Sequence, residues 1–74
     1  MKKEAREMSG LMIVRTIQNL SYLGRPKKAE EQFLELSAGE NGRISFIFPK
    51  EEIRQIICGA EHYDWEQFLE EWNR

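Results

Sequence analysis

One cysteine, Cys58, and one histidine, His62, are all that 74 residues supply of the two side chains most used to bind zinc. No intrachain disulfide can form and no Cys/His zinc cluster can assemble. The apolar run at 11–14 is too short for a secretory core or a membrane span, so neither targeting segment nor membrane attachment is expected. Gly39 and Gly42 occur without a helix directly after them, which excludes a phosphate-binding glycine loop. No serine has a Gly-x-Ser-x-Gly context, and no acidic run has the spacing of a calcium loop. A chain of this size buries only about 60% of its unfolded surface. Without disulfide or metal it needs a dense core, a second copy or a partner. Eight aromatic residues supply material for the first of these.

Charge is unevenly distributed. Residues 1–28 carry seven cations against two acids, a formal +5, while residues 29–74 carry four against eleven, a formal −7. A basic half can meet nucleic acid, and an acidic half can meet a basic protein surface. The bland alternative is that the two halves pack against each other.

The strongest local pattern is LELSAGENGRISFIF, residues 34–48. A turn at Glu40, Asn41 and Gly42 sets Ala38 opposite Ile44, Leu36 opposite Phe46 and Leu34 opposite Phe48. All six then share one face. Glu35, Ser37, Ser45 and Ile47 take the other. A two-residue Asn-Gly turn would mix polar and aromatic residues on one face, so the alternation selects the first register. Gly42 falls where such a loop needs a left-handed residue.

Elsewhere the spacing suggests helices. Ile13, Ile17 and Leu20 recur at helical intervals across 11–23, and Gly24 and Pro26 follow as stop signals. The β-branched Ile13, Val14, Thr16 and Ile17 argue instead for a strand. Residues 26–32 read as a short helix or turn. Residues 50–58 read as a helix with Ile53, Ile56 and Ile57 inward, capped by Gly59. The last helix has the clearest start: Asp64 as cap, Gln67 as its capping-box partner, and Tyr63 positioned to staple Phe68. Trp65, Phe68, Leu69 and Trp72 line one side of it, and Glu66, Gln67, Glu70 and Glu71 the other. The expected fold is therefore α+β: an N-terminal helix, an antiparallel hairpin over about 33–48, and two C-terminal helices packed on the hairpin. The whole chain is expected to be one domain, with residues 1–9 frayed.

The pentapeptide EQFLE occurs at 31–35 and again at 66–70. With Gly24, Ala29, Phe33 and Leu36 at their spacing, the first copy resembles the second half of a tetratricopeptide or pentatricopeptide hairpin. That resemblance implies a helical-repeat fragment binding peptide or RNA. Against it stand the strand-like 43–48, Asp64 in place of a second small residue, and too few repeats for a solenoid core.

Catalytic constellations are scarce. Cys58 and His62 are four apart, which on one helix would make a nucleophile–base pair, but Gly59 interrupts them. The adjacent glutamates at 30/31, 51/52 and 70/71 do not face each other on a helix. No cofactor, metal or enzymatic activity is expected. Two features could bind. The stripe Trp65, Phe68, Leu69 and Trp72 has the spacing of a helix docking in a groove, or of a helix covering its own hairpin. The cations Arg15, Arg25, Lys27 and Lys28 could grip phosphates. The expected function is a cytoplasmic, non-enzymatic regulatory or interaction module that binds another protein or itself, as in a homodimer. Nucleic-acid binding is the second choice.

Overall fold

Met12, Val14 and Thr16 are buried while Arg15 between them is exposed, a period of two rather than 3.6. That alternation belongs to a strand, and the first element is β1, Met12–Thr16. The structure, a computed structural model, describes residues 10–74. The expected fraying of 1–9 falls outside the described residues. After β1 come β2 (Ser21–Ala29), β3 (Phe33–Ala38) and β4 (Ile44–Pro49). A 3-10 turn (Lys50–Glu52), β5 (Ile53–Cys58), β6 (Glu61–Tyr63) and one helix, α1 (Trp65–Trp72), complete the chain. The strands form one sheet in the order β4-β3-β2-β1-β5-β6, each neighbouring pair antiparallel.

The expected α+β fold with helices at both ends is thus replaced by a mostly antiparallel β fold with one short helix. In place of the N-terminal helix, β1 and the first part of β2 form a hairpin. Thr16 makes its turn: Asn19 N–H donates to the Thr16 carbonyl at 2.9 Å, and the Gln18 and Leu20 N–H groups both reach Thr16 Oγ1 at 3.3 Å. Asn19 takes the left-handed conformation, φ +66°, which asparagine tolerates better than most residues. Gly24 and Pro26 are not a helix stop but lie inside β2. The backbone of β3 passes so close to Gly24 that a Cβ there would stand 2.8 Å from the Ser37 carbonyl oxygen. Pro26 lies where β1 has ended and only β3 remains to pair, so its missing N–H leaves no gap between two partners. The expected turn or helix over 26–32 is the end of β2 and the connection to β3.

Residues 50–58 are also not helical beyond one 3-10 turn. The cause of the misleading spacing is a β-bulge. Arg15 pairs with Gln55 but Thr16 pairs with Ile53, so Arg54 is an extra residue. Ile53 and Ile56, three apart, both turn inward as a result, with Cys58 following. A second bulge makes Lys27 the extra residue of β2, and sets Pro26 and Ala29 three apart as well. The first EQFLE runs into β3 as a strand, which removes the helical-repeat reading.

The hairpin β3–β4 has the expected register in all three apolar pairs, though Ile44 at its end is exposed. Its loop spans 39–43, with Gly42 N–H donating to the Gly39 carbonyl at 3.3 Å and Gly42 at φ +65°. Gly59, expected as a helix cap, opens the two-residue β5–β6 turn at φ +62°. The helix α1 begins at Asp64 with the capping box formed: Gln67 N–H donates to Asp64 Oδ1 at 2.8 Å, and Asp64 N–H donates to Gln67 Oε1 at 3.1 Å.

One core joins both ends of the sheet and α1. It contains Met12, Val14, Leu34, Leu36, Phe48, Ile53, Ile56, Cys58, Trp65 and Phe68. The sheet curls over it. Tyr22 of β2 puts its ring centroid 4.9 Å from that of Phe46 and 5.1 Å from that of Phe48, both on β4. No helix of the described residues is long and apolar enough to cross a membrane.

Candidate functional site

The curl brings β4 toward the β1–β2 turn although two strands separate β4 from β1 in the sheet. Between them lies a groove of about 260 Å³. Tyr22, Phe46 and Phe48 form part of its wall, Ile17, Leu20 and Ile47 stand beside them, and Thr16, Gln18 and Glu52 supply a polar share of the lining. These last three are exposed large hydrophobics, Ile47 at 62%, and Ile44, also exposed, lies two residues before Phe46. β4 is also an edge strand, with β3 on one side and no strand of the described residues on the other. An edge presents a row of backbone donors and acceptors, and proteins usually protect such a row. Here apolar side chains flank it instead.

The stripe on α1 is divided by its environment. Phe68 is fully buried and Trp65 nearly so. Phe68 stacks between Trp65 at 6.0 Å and Trp72 at 5.9 Å, and meets Tyr63 edge-on at 6.5 Å as the expected staple. Leu69 and Trp72 are half-buried and pack against the core. Most of the stripe therefore holds α1 to the sheet. The surface left beside it is a cleft of about 350 Å³ in which Trp65 and Leu69 sit among Glu31, Glu66 and Glu70, with Lys50 opposite.

The chain matches no protein-family model, no curated protein and no solved structure. The site must be read from its chemistry.

The four basic residues singled out in the sequence come together on one face. Arg15, Arg25 and Lys28 occupy outward register positions, opposite Ser21 and Gln55, Ser37, and Glu35 respectively. Lys27 joins them from the bulge, its Nζ 4.0 Å from a Glu35 carboxylate oxygen. All four are exposed. Arg54 adds a fifth cation at the other bulge, which sequence reasoning did not single out. Its Nη1 donates to Asn19 Oδ1 at 2.8 Å. The signal for it would have been the inward Ile53 and Ile56 at a spacing of three, read as a bulged strand. By contrast, Glu66 and Glu70 lie on exposed positions of α1 and Glu30 and Glu31 in the β2–β3 connection, away from the outward row.

Cys58 and His62 do not form a pair. Across the β5–β6 hairpin Cys58 is opposite Glu61 and His62 opposite Ile57, so the two lie on opposite faces, Cys58 buried and His62 exposed.

Proposed function

We propose that this protein is a non-enzymatic interaction module that captures an extended apolar segment of a partner protein along β4. The observation that carries the reading is the coincidence of an unpaired strand edge with an aromatic groove and exposed Ile17, Leu20, Ile44 and Ile47. Strand addition draws affinity from main-chain hydrogen bonds, while alternate side chains entering pockets supply specificity. The occupant proposed is a segment of another protein rather than a second copy. β4 has no charge of its own but is bracketed by Arg43 and Lys50. Two copies paired antiparallel about the middle of β4 would set Arg43 against Lys50 at both ends. Like charges directly opposite destabilise a strand pair. An apolar segment with an acidic residue opposite Arg43 fits, since Glu51 and Glu52 follow Lys50 at the other end. The separation of Cys58 from His62 supports binding rather than nucleophilic catalysis, and a buried thiol is compatible with a reducing cytoplasm.

The test is selection from a displayed library of random peptides against the wild-type protein and Ile47→Lys, with sedimentation of the free protein alongside. The expected result is enrichment of alternating apolar sequences with an acid at the end that meets Arg43, lost in Ile47→Lys. Enrichment that survives the substitution, or tight dimers of the free protein broken by it, would defeat the proposal.

A second reading has its own observation: Arg15, Arg25, Lys27 and Lys28 on one face. That face could follow a nucleic-acid backbone. It carries no aromatic ring for stacking bases, so binding there would be electrostatic and steeply salt-dependent.

A further inference from the structure

The bulge that makes Arg54 an extra residue also creates a cleft. Its walls are Arg15 of β1, Asn19 of the β1–β2 turn, and Arg54 and Gln55 of β5, and its volume is about 430 Å³. It shares no lining residue with the β4 groove. The composition of this lining is unusual. Every side chain in it is a hydrogen-bond donor, and none is an acid. Two guanidinium groups line one cleft, and among the described residues neither has a carboxylate within ion-pairing distance. Two cations brought together without an anion repel each other. The backbone nonetheless builds the arrangement: the bulge re-aims Arg54 out of the ladder, and left-handed Asn19 offers Oδ1 to fix the guanidinium. With its oxygen so used, the Asn19 amide nitrogen remains a donor.

We propose that this cleft binds a phosphate group, clamped between Arg15 and Arg54 with the Asn19 and Gln55 amides as further donors. Planar guanidinium forks match phosphate oxygens two at a time, and the negative charge of the phosphate offsets the repulsion between the arginines. The group can be a free or monoester phosphate, or the diester of a nucleic-acid backbone. The proposal is independent of capture at β4.

The experiment is a titration of the ¹⁵N-labelled full chain at constant ionic strength. It follows the arginine Nε–Hε signals and the backbone amides of 15–19 and 54–55. One arm uses inorganic phosphate, replaced by chloride in the control. The other uses a short oligothymidylate without terminal phosphates. The expected result is a saturable shift at the Arg15 and Arg54 signals. Arg15→Gln and Arg54→Gln should each weaken it by about tenfold or more, the scale of a lost charge-assisted contact. Arg54→Lys should retain part of the affinity, because it keeps the charge without the fork. Lys27→Gln, outside the cleft, should leave the phosphate arm unchanged. Saturation by phosphate alone identifies a free or monoester ligand, and tighter saturation by the oligonucleotide identifies a diester backbone. The proposal is overturned if both arms give only the non-saturating drift seen with chloride. It is equally overturned if saturation survives in both Arg15→Gln and Arg54→Gln. Both arginines are exposed, and a preserved amide spectrum elsewhere in each variant separates loss of binding from loss of fold.

Discussion

Replacing Phe68 with alanine asks whether α1 belongs to the core or is offered to a partner. Phe68 is fully buried and is the ring that Trp65, Trp72 and Tyr63 all contact. Phe→Ala at such a position removes about 3–5 kcal/mol, from lost transfer energy and the cavity left behind. At the usual stability per residue, a 74-residue chain has roughly 4–11 kcal/mol in total. The substitution therefore removes a large share of what holds the domain together. The chain's two tryptophans, Trp65 and Trp72, both lie on α1. Tryptophan fluorescence thus reports the docking of the helix, while the backbone amide signals of β1–β5 report the sheet. In wild type the two urea transitions should coincide, as one cooperative unit requires. In Phe68→Ala the midpoint should fall sharply, with the fluorescence transition first if α1 detaches before the sheet melts. Leu69→Ala, half-buried, should cost less. A loss below about 0.5 kcal/mol for Phe68→Ala, the range of substitutions away from the core, would refute the assignment of this ring to the core and restore the stripe as a partner surface.

Asp64→Ala removes one half of the capping box and should cost about 1 kcal/mol, read as a lower urea midpoint with the sheet spectrum intact. Gly24→Ala puts a Cβ 2.8 Å from a carbonyl oxygen on a paired strand that cannot swing aside, so a loss of about 1–3 kcal/mol is expected. A neutral outcome in thermal melting would mean that β2 and β3 are not so closely apposed. Ile47→Lys, on an exposed outer position, should change stability by no more than about 0.5 kcal/mol while abolishing peptide capture. Lys27→Glu combined with Lys28→Glu should leave peptide capture intact. If the outward basic row binds single-stranded nucleic acid, the same pair should flatten the dependence of log affinity on log salt by roughly 0.7 per lost phosphate contact.

The parts of the fold legible in the sequence are those whose signals are local. Leu34, Leu36 and Phe48 alternate with Glu35, Ser37 and Ile47, and only one turn position keeps the apolar set together, so the register of β3–β4 could be read directly. The start of α1 was legible for a similar reason, since its cap, box and staple all lie within six residues. The misreadings have two causes. A residue inserted at each bulge sets inward positions three apart, and Ile53 with Ile56 then imitates a helical face. The β1–β2 turn uses Asn19 and Thr16 rather than glycine, so nothing between Ile17 and Leu20 announced a reversal. Of the candidate sites, the basic residues were visible one by one. Their gathering on one face was not, because it depends on which strands pair.

EQFLE shows the division most plainly. At 66–70 it is helix, with Phe68 buried and Leu69 half-buried; at 31–35 it enters a strand, with Leu34 buried and Phe33 half-buried. The five residues have no decisive preference of their own. Asp64 and Gln67, a cap written into the sequence, commit the second copy to a helix. The first is committed by two neighbouring strands, β2 and β4, whose backbone groups lie within reach only after the chain has folded over its core. Sequence alone determined what short-range hydrogen bonds and alternation can enforce. Tertiary structure decided the rest, because pairing between strands is a contact between distant residues, and backbone groups accept whichever partners the fold supplies.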